Sequence, residues 1–217
     1  MRIYLIIISL IIGLTSCSNS TNDGANSDTD NNIIVDEKIS DRDAEILKKI
    51  GNHEMNGVYH YTTYEEDSGN ILQTYVRGTN DKKEFSVTND IDYYFNDGST
   101  ITYANSEKNI YYQESVDGFY KDSNDIDSFF EEIKGRGLES IEDDDKNIKL
   151  KFDNNSYSIY DSNTLDLVED KFMGNGTSVI QKLESKEEDV DSLYDKYFNV
   201  IQNMNKVETL EEVTGKI

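Results

Sequence analysis

Proline and tryptophan are both missing from this chain of 217 residues, and cysteine and histidine occur only once and twice. A single cysteine cannot form a disulfide within the chain, so the fold must rest on its hydrophobic core. The lack of tryptophan argues weakly against a sugar-binding cleft.

Basic residues are also few: 21 Lys and Arg stand against 44 Asp and Glu, which gives a formal net charge of −23. A nucleic-acid partner is therefore not expected, because binding phosphates requires a concentration of positive charge. The same deficit argues against a basic face that holds the protein to anionic lipid. The acidic residues are scattered, which is typical of a solvated surface. The open alternative is an acidic face for a basic partner or for Ca²⁺.

Only one long apolar run is present, from Ile3 to Leu14, and it follows the positive charge of Arg2. A charged start, an apolar run of about a dozen residues and small residues after it predict a secretory signal peptide. The run is too short for a stable transmembrane helix, which needs about 20 residues. We therefore expect the folded part to lie outside the cytoplasm.

The four residues Leu14, Thr15, Ser16 and Cys17 resemble the bacterial lipobox. The resemblance implies that the thiol of Cys17 is diacylated and that residues 1–16 are removed. Two acyl chains are enough for stable anchoring to the cell membrane. The alternative is a plain secretory signal with an incidental cysteine.

The segment behind Cys17 is rich in Asn, Ser and Asp and has no periodicity as far as about Asn32. Such a composition cannot offset the entropy lost on ordering. We expect residues 17–36 to form the lipidated cysteine and a disordered tether, and residues 37–217 to form one domain.

The rest of the chain alternates between two periods. Helical spacing recurs around 40–50, 123–133 and 190–204, and short β-rich runs with tight turns such as Asn96, Asp97 and Gly98 fill the intervals. The order is one helix, about five strands, a helix, about four strands and a last helix. Because the links between strands are short, we predict an antiparallel meander in an α+β fold.

Three stretches resemble the LolA/LolB/LprG-type lipoprotein fold: 57–69, 93–112 and 157–190. The resemblance implies a curved antiparallel sheet, an open half-barrel of about nine strands, with helices packed on its concave face. It also implies a non-enzymatic protein that either cradles acyl chains or docks another protein. In layout, anchor and composition the chain is similar to clostridial spore-germination lipoproteins of the GerS type, which act as partners of a cortex-modifying amidase.

The supply of apolar residues favours the second of these two roles. A lipid cavity needs an apolar lining, but apolar residues make up 35% of the chain, and many inward positions are Tyr, whose hydroxyl needs a partner. We therefore expect a protein partner, with a lipid in the concavity as the alternative. The candidate binding residues are Tyr94, Tyr111, Tyr112 and Phe119. Ordinary cross-strand packing would also explain these rings.

Catalytic motifs are lacking, and the only cysteine is assigned to the anchor. His53 and His60 are the remaining candidates for a catalytic base. A hydrogen bond from either one to a buried carboxylate would favour an enzyme. We expect no enzyme and no cofactor.

Acidic clusters are the last candidates. Asp143, Asp144 and Asp145 could ligate Ca²⁺, but their spacing is not that of an EF-hand. Asp122, Asp125 and Asp127 are expected to complement a helix dipole. We expect no metal site.

Overall fold

The computed structural model describes residues 39–117, 126–174 and 176–215. These residues form four helices: α1 (Asp41–Gly51), α2 (Ile126–Gly135), α3 (Val190–Ile201) and α4 (Leu210–Thr214). The first six strands are β1 (Gly57–Glu65), β2 (Ile71–Thr79), β3 (Glu84–Thr88), β4 (Asp92–Asn96), β5 (Thr100–Asn105) and β6 (Ile110–Ser115). The others are β7 (Leu138–Asp143), β8 (Asn147–Phe152), β9 (Tyr157–Asp161), β10 (Leu167–Gly174), β11 (Thr177–Glu187) and β12 (Asn205–Lys206).

All twelve strands belong to one open sheet, in the order β12-β6-β5-β4-β3-β2-β1-β11-β10-β9-β8-β7. Two antiparallel meanders, β1 to β6 and β7 to β11, join where β11 pairs with β1. The only parallel pair of the described part is β12 with β6. The predicted α+β class and the open antiparallel sheet are confirmed. The expected number of about nine strands is wrong, because strands such as β7 and β12 carry no clear alternation of apolar residues.

Strand β1 is buried on both of its faces. The neighbouring residues Val58 and Tyr59 each have no exposed surface, and successive strand residues point to opposite faces. We call these the Val58 face and the Tyr59 face of the sheet. Helix α3 packs on the Val58 face, where Val58 shares a core cluster with Val190 and Tyr194.

Helix α2 meets the other face of the sheet. Arg136, which follows α2, donates to Ser158 of β9. Across the sheet, Ser158 is directly opposite Asp170, Asp170 is opposite Gln181, and Gln181 is opposite Thr63 of β1. Directly opposite residues share a face, and Thr63 lies four positions after Tyr59 on the same strand, so Ser158 is on the Tyr59 face. The expectation that the helices share one face is therefore wrong. An amphipathic period identifies a helix's buried side, but it does not say which face of the sheet that side covers.

Aromatic rings fill the contact between α3 and the Val58 face. Phe95 packs edge-on against Tyr194 and Phe198, with ring centroids 5.2 and 5.1 Å apart. Phe85 packs edge-on against Tyr194 at 6.1 Å. Each such pair contributes about 0.5–1.5 kcal/mol beyond the area it buries. Lys83 adds an ion pair to Asp191 of the helix at 3.2 Å, so α3 is held at its polar edge as well.

Gly78 of β2 makes room for this aromatic core. It lies directly opposite Phe85 in the register, and a Cβ atom at position 78 would collide with the Phe85 ring. The ring is fully buried, so it cannot swing out into solvent. The pairing of glycine with phenylalanine is thus a steric requirement of the core.

We predict that Gly78→Ala lowers the free energy of unfolding by about 1–3 kcal/mol, because an extra methyl group overpacks the core. Denaturant titration measures this difference. The control is Gly135→Ala at the end of α2, where nothing lies within 4 Å of the new Cβ. This control should change stability by no more than about 1 kcal/mol, in the stabilising direction. Equal effects of the two substitutions would contradict the steric account.

Candidate partner-binding surface and the Asp166 cluster

Three tyrosines lie side by side across the first meander. Tyr94 of β4 is directly opposite Tyr103 of β5, and Tyr103 is directly opposite Tyr112 of β6. In the other direction, Tyr94 is opposite Ser86, Ser86 is opposite Arg77, and Arg77 is opposite Tyr59. Because directly opposite residues share a face, all three rings lie on the Tyr59 face. We call Tyr94, Tyr103 and Tyr112 the tyrosine row.

The tyrosine row combines apolar rings with polar tips. The rings of Tyr94 and Tyr103 are 5.3 Å apart at a tilt of 53°, and all three residues are half-buried. The Tyr112 hydroxyl donates to a carboxylate oxygen of Glu114 at 3.3 Å. The negative charge of Glu114 raises the pKa of Tyr112. A surface of this kind can bury apolar area and still offer directed hydrogen bonds.

The sequence-predicted binding residues do not all meet at this surface. Tyr94 and Tyr112 lie in the row, whereas Tyr111 is opposite Ala104 and packs against the core cluster on the Val58 face. Phe119 and the lipidation candidate Cys17 lie outside the described residues. Tyr103 was not a candidate, although its strand was predicted. Pairing the strands across the Asn96–Gly98 turn would have placed it beside Tyr94.

A second cluster, around Asp166, was missed by the sequence reasoning. The Asp166 carboxylate is 5% exposed and accepts a hydrogen bond from the Tyr59 hydroxyl at 2.8 Å. Its other oxygen accepts from the Lys186 ammonium at 2.8 Å. His53 Nε2 lies 3.1 Å from the oxygen that Tyr59 also binds. We call these four residues the Asp166 cluster.

Burial and hydrogen bonding oppose each other in this cluster. Burial alone would raise the pKa of Asp166, but hydrogen bonds from Lys186, Tyr59, Thr164 and His53 outweigh it and hold the pKa below the ordinary value. Burial acts to lower the pKa of Lys186, yet its hydrogen bonds to Asp166 and Tyr59 raise it. Both groups are therefore held in their charged forms, as an ion pair.

The four residues of the Asp166 cluster come from different elements of the fold. His53 follows α1, Tyr59 lies in β1, Lys186 lies in β11, and Asp166 directly precedes β10. The contacts join the two meanders where they meet. A histidine beside a buried carboxylate is also the arrangement that orients a general base. The only signal in the sequence is a lone acid between Leu165 and Leu167.

The second histidine lies in β1. His60 Nε2 is 2.9 Å from a carboxylate oxygen of Glu187, but within the described residues this nitrogen makes no hydrogen bond. The Glu187 side chain is 51% exposed. The contact of His60 is thus to a solvated carboxylate, whereas that of His53 is to a buried one.

Two carboxylates of the acidic run at the end of β7 bind groups of the protein itself. Asp143 pairs with Arg42 of α1 at 2.9 Å. Asp144 accepts hydrogen bonds from the backbone N–H groups of Lys146 and Asn147, which lower its pKa. Within the described residues, no group of three or more His, Cys, Asp or Glu is placed to hold a metal ion. Asp122, Asp125 and the side chain of Asp127 lie outside the described part.

No protein-family model matches the chain, and no curated protein matches it either. In the part of the chain that the structure describes, no helix is both long and apolar enough to cross a membrane.

We predict that Asp166→Asn lowers the free energy of unfolding at neutral pH by about 2 kcal/mol, because Lys186 loses its counter-ion and a buried hydrogen-bond network loses its charge. Thermal or denaturant unfolding measures the loss. The control is Asp145→Asn, at an exposed position, which should change stability by less than about 0.5 kcal/mol.

The same pair of variants carries a pH test. Because the pKa of Asp166 is lowered in the folded state, its contribution is complete above the ordinary aspartate pKa of about 4 and is lost as the pH falls further. The difference in unfolding free energy between the unsubstituted protein and Asp166→Asn should therefore shrink below about pH 4. A difference that stays constant into acid would contradict the ion-pair account.

Proposed function

We propose that this protein is a non-catalytic extracytoplasmic lipoprotein, anchored to the cell membrane through Cys17, that binds a partner protein with its tyrosine row. The observation that carries the proposal is the alignment of Tyr94, Tyr103 and Tyr112 on one face of adjacent strands. The anchor rests on the lipobox resemblance of residues 14–17. A cell-wall amidase is the class of partner that the resemblance to germination lipoproteins implies.

Several properties of the row favour a protein as its partner. Tyrosine is enriched at the centres of protein interfaces, where charged residues are depleted. Its ring offers a large contact area, and little conformational freedom is lost when it is fixed. Because the rings are only half-buried, each has surface left to contribute to an interface.

A lipid or lipoprotein carrier remains the second candidate, and the half-barrel resemblance alone favours it. An acyl chain would need an apolar space between the sheet and a helix. Between α3 and the Val58 face, that space is occupied by the rings of Phe85, Phe95, Tyr194 and Phe198. This packing supports partner binding over lipid carriage.

An enzyme is the third candidate, and the contact of His53 with the buried Asp166 favours it. The carboxylate also pairs with Lys186 and accepts from Tyr59. Those two contacts belong to a joint between strands, so we assign the cluster a structural role. A hydrolytic activity that is abolished by His53→Ala, with unfolding stability retained, would overturn this assignment.

We predict that Tyr94→Ala combined with Tyr112→Ala reduces co-purification of the partner from detergent-solubilised membranes by at least about tenfold, since buried interface tyrosines are frequent hot spots. Quantitative mass spectrometry of the eluates measures the change. The matched control is Tyr64→Ala, because the Tyr64 hydroxyl also donates to a carboxylate, that of Glu184, at 2.7 Å. Tyr64 lies on the Val58 face, and its loss should leave recovery unchanged. Equal recovery from all variants would contradict the proposed surface.

We predict that Cys17→Ser moves the protein from the membrane fraction to the soluble fraction and abolishes the incorporation of labelled fatty acid, because no thiol remains for acylation. Fractionation followed by immunoblotting measures the first effect. Ser18→Ala is the neighbouring control and should stay with the membrane. Retention of Cys17→Ser in the membrane fraction would contradict the anchor.

A further inference from the structure

Strand β6 lies near one edge of the sheet and already accepts an added strand on its outer side. Asn205 donates its backbone N–H to the carbonyl of Asn109 at 3.0 Å, and Val207 donates to the carbonyl of Tyr111 at 2.8 Å. These bonds make β12, which spans only Asn205 and Lys206. The chain then turns into α4 at Leu210. Among the described residues, β12 and Val207 thus cover this edge only as far as Tyr112.

The outer edge of β6 continues beyond this cover. Backbone groups of a strand point alternately to its two sides, so Gln113 and Ser115 point outward together with Tyr111. In the described part of the chain, β12 pairs with β6 only at Ile110 and Tyr111. The N–H and C=O of Gln113 are thus the next positions of the same ladder. An edge of this kind is a template for another strand.

The tyrosine row ends at this edge. Val207 already lies beside Tyr112, so a strand added beyond it would place a side chain on the Tyr59 face next to Glu114 and diagonal to Tyr112, at cross-strand distances of about 5–8 Å. Glu114 and the following Asp117 are both exposed. A Lys or Arg at that point could stack on the Tyr112 ring and pair with Glu114.

A second copy of the chain fits this edge poorly. In an antiparallel twofold pairing centred on Gln113, residues 115–117 of one copy would meet β12 of the other, because β12 covers residues 110 and 111 on the same side. Two acidic edges would also face each other, within a chain of net charge −23. An occupant with basic side chains has the complementary charge.

We propose that the outer edge of β6 beyond Tyr112 takes up an extended, basic segment of the partner protein as an added β-strand, with a Lys or Arg side chain beside Glu114 and diagonal to Tyr112. This proposal deepens the proposed function and rests on it. Backbone hydrogen bonds at Gln113 and Ser115 would bind the added strand, and the tyrosine row would determine which side chains it can carry.

The test uses the full detergent-solubilised protein and two labelled synthetic peptides, one alternating Val and Lys and one alternating Val and Glu. Gln113→Pro removes the outward N–H of β6, and a proline is tolerated on an edge strand where that N–H faces away from the sheet. Gln113→Ala is the matched control, because both variants lose the side-chain bond to Thr102 but only the proline loses the N–H. Thermal unfolding of both variants checks that the fold is kept.

We expect the Lys peptide to bind and the Glu peptide not to bind. Gln113→Pro should weaken binding by about tenfold, whereas Gln113→Ala should change it by less than about threefold. Equal binding of the two peptides, no binding of the Lys peptide, or equal affinity of the two variants would overturn the proposal. So would a dimer, detected by sedimentation, that Gln113→Pro dissociates.

The failure of this inference can be told from failure of the proposed function. If the natural partner is lost with Tyr94→Ala and Tyr112→Ala but retained with Gln113→Pro, the row binds the partner without strand addition. In that case only the edge proposal falls.

Discussion

Strand β1 must be buried on both faces and paired on both edges, and the rest of the fold depends on this constraint. It pairs with β2 on one side and with β11 on the other, and these two pairings connect the meanders into one sheet. Because Val58 and Tyr59 have no exposed surface, both faces of β1 are covered by neighbouring structure. The Asp166 cluster provides the polar contacts on the Tyr59 face. It satisfies the hydroxyl of the fully buried Tyr59 and brings Lys186 of β11 to the same carboxylate.

The two meanders are covered on opposite faces of the sheet, so they expose different faces. Helix α3 covers the Val58 face of the first meander, so that meander presents its tyrosine row on the Tyr59 face. In the second meander the contacts of Arg136 lie on the Tyr59 face, and its Val58 face carries charged pairs such as Lys182 with Glu169 at 3.3 Å. Pairs of this kind favour solvation. The rings of Tyr94, Tyr103 and Tyr112 favour contact with another molecule, and this contrast is why we place the proposed binding there.

The proposed function joins this surface to the anchor. A strongly acidic domain is repelled by an anionic membrane surface, so acyl chains on Cys17 would be needed to keep it there. The same charge suits a basic partner segment. In the proposed arrangement the row and the β6 edge act together, because backbone pairing gives a strand its position and the neighbouring side chains select which strand can bind.

Local patterns were enough to predict much of the fold. Apolar spacing predicted α1 and α3, and the Asn96–Gly98 turn predicted the hairpin of β4 and β5. Strand β7 was missed because its residues between Leu138 and Asp143 are mostly acidic or polar on both sides, as suits an edge strand. Helix α4, with five residues, and β12, with two, are too short to show any period.

The sequence by itself determined the composition of this protein, its expected export and anchoring, and the alternation that separates Tyr111 from Tyr112. It could not decide which of those two tyrosines enters the core, because that depends on which face α3 covers. Nor could it identify the Asp166 cluster, since Asp166 lies 107 residues from Tyr59 and 113 from His53 along the chain. Local periodicity carries information over a few residues only. Contacts over such distances exist only after β11 has closed on β1.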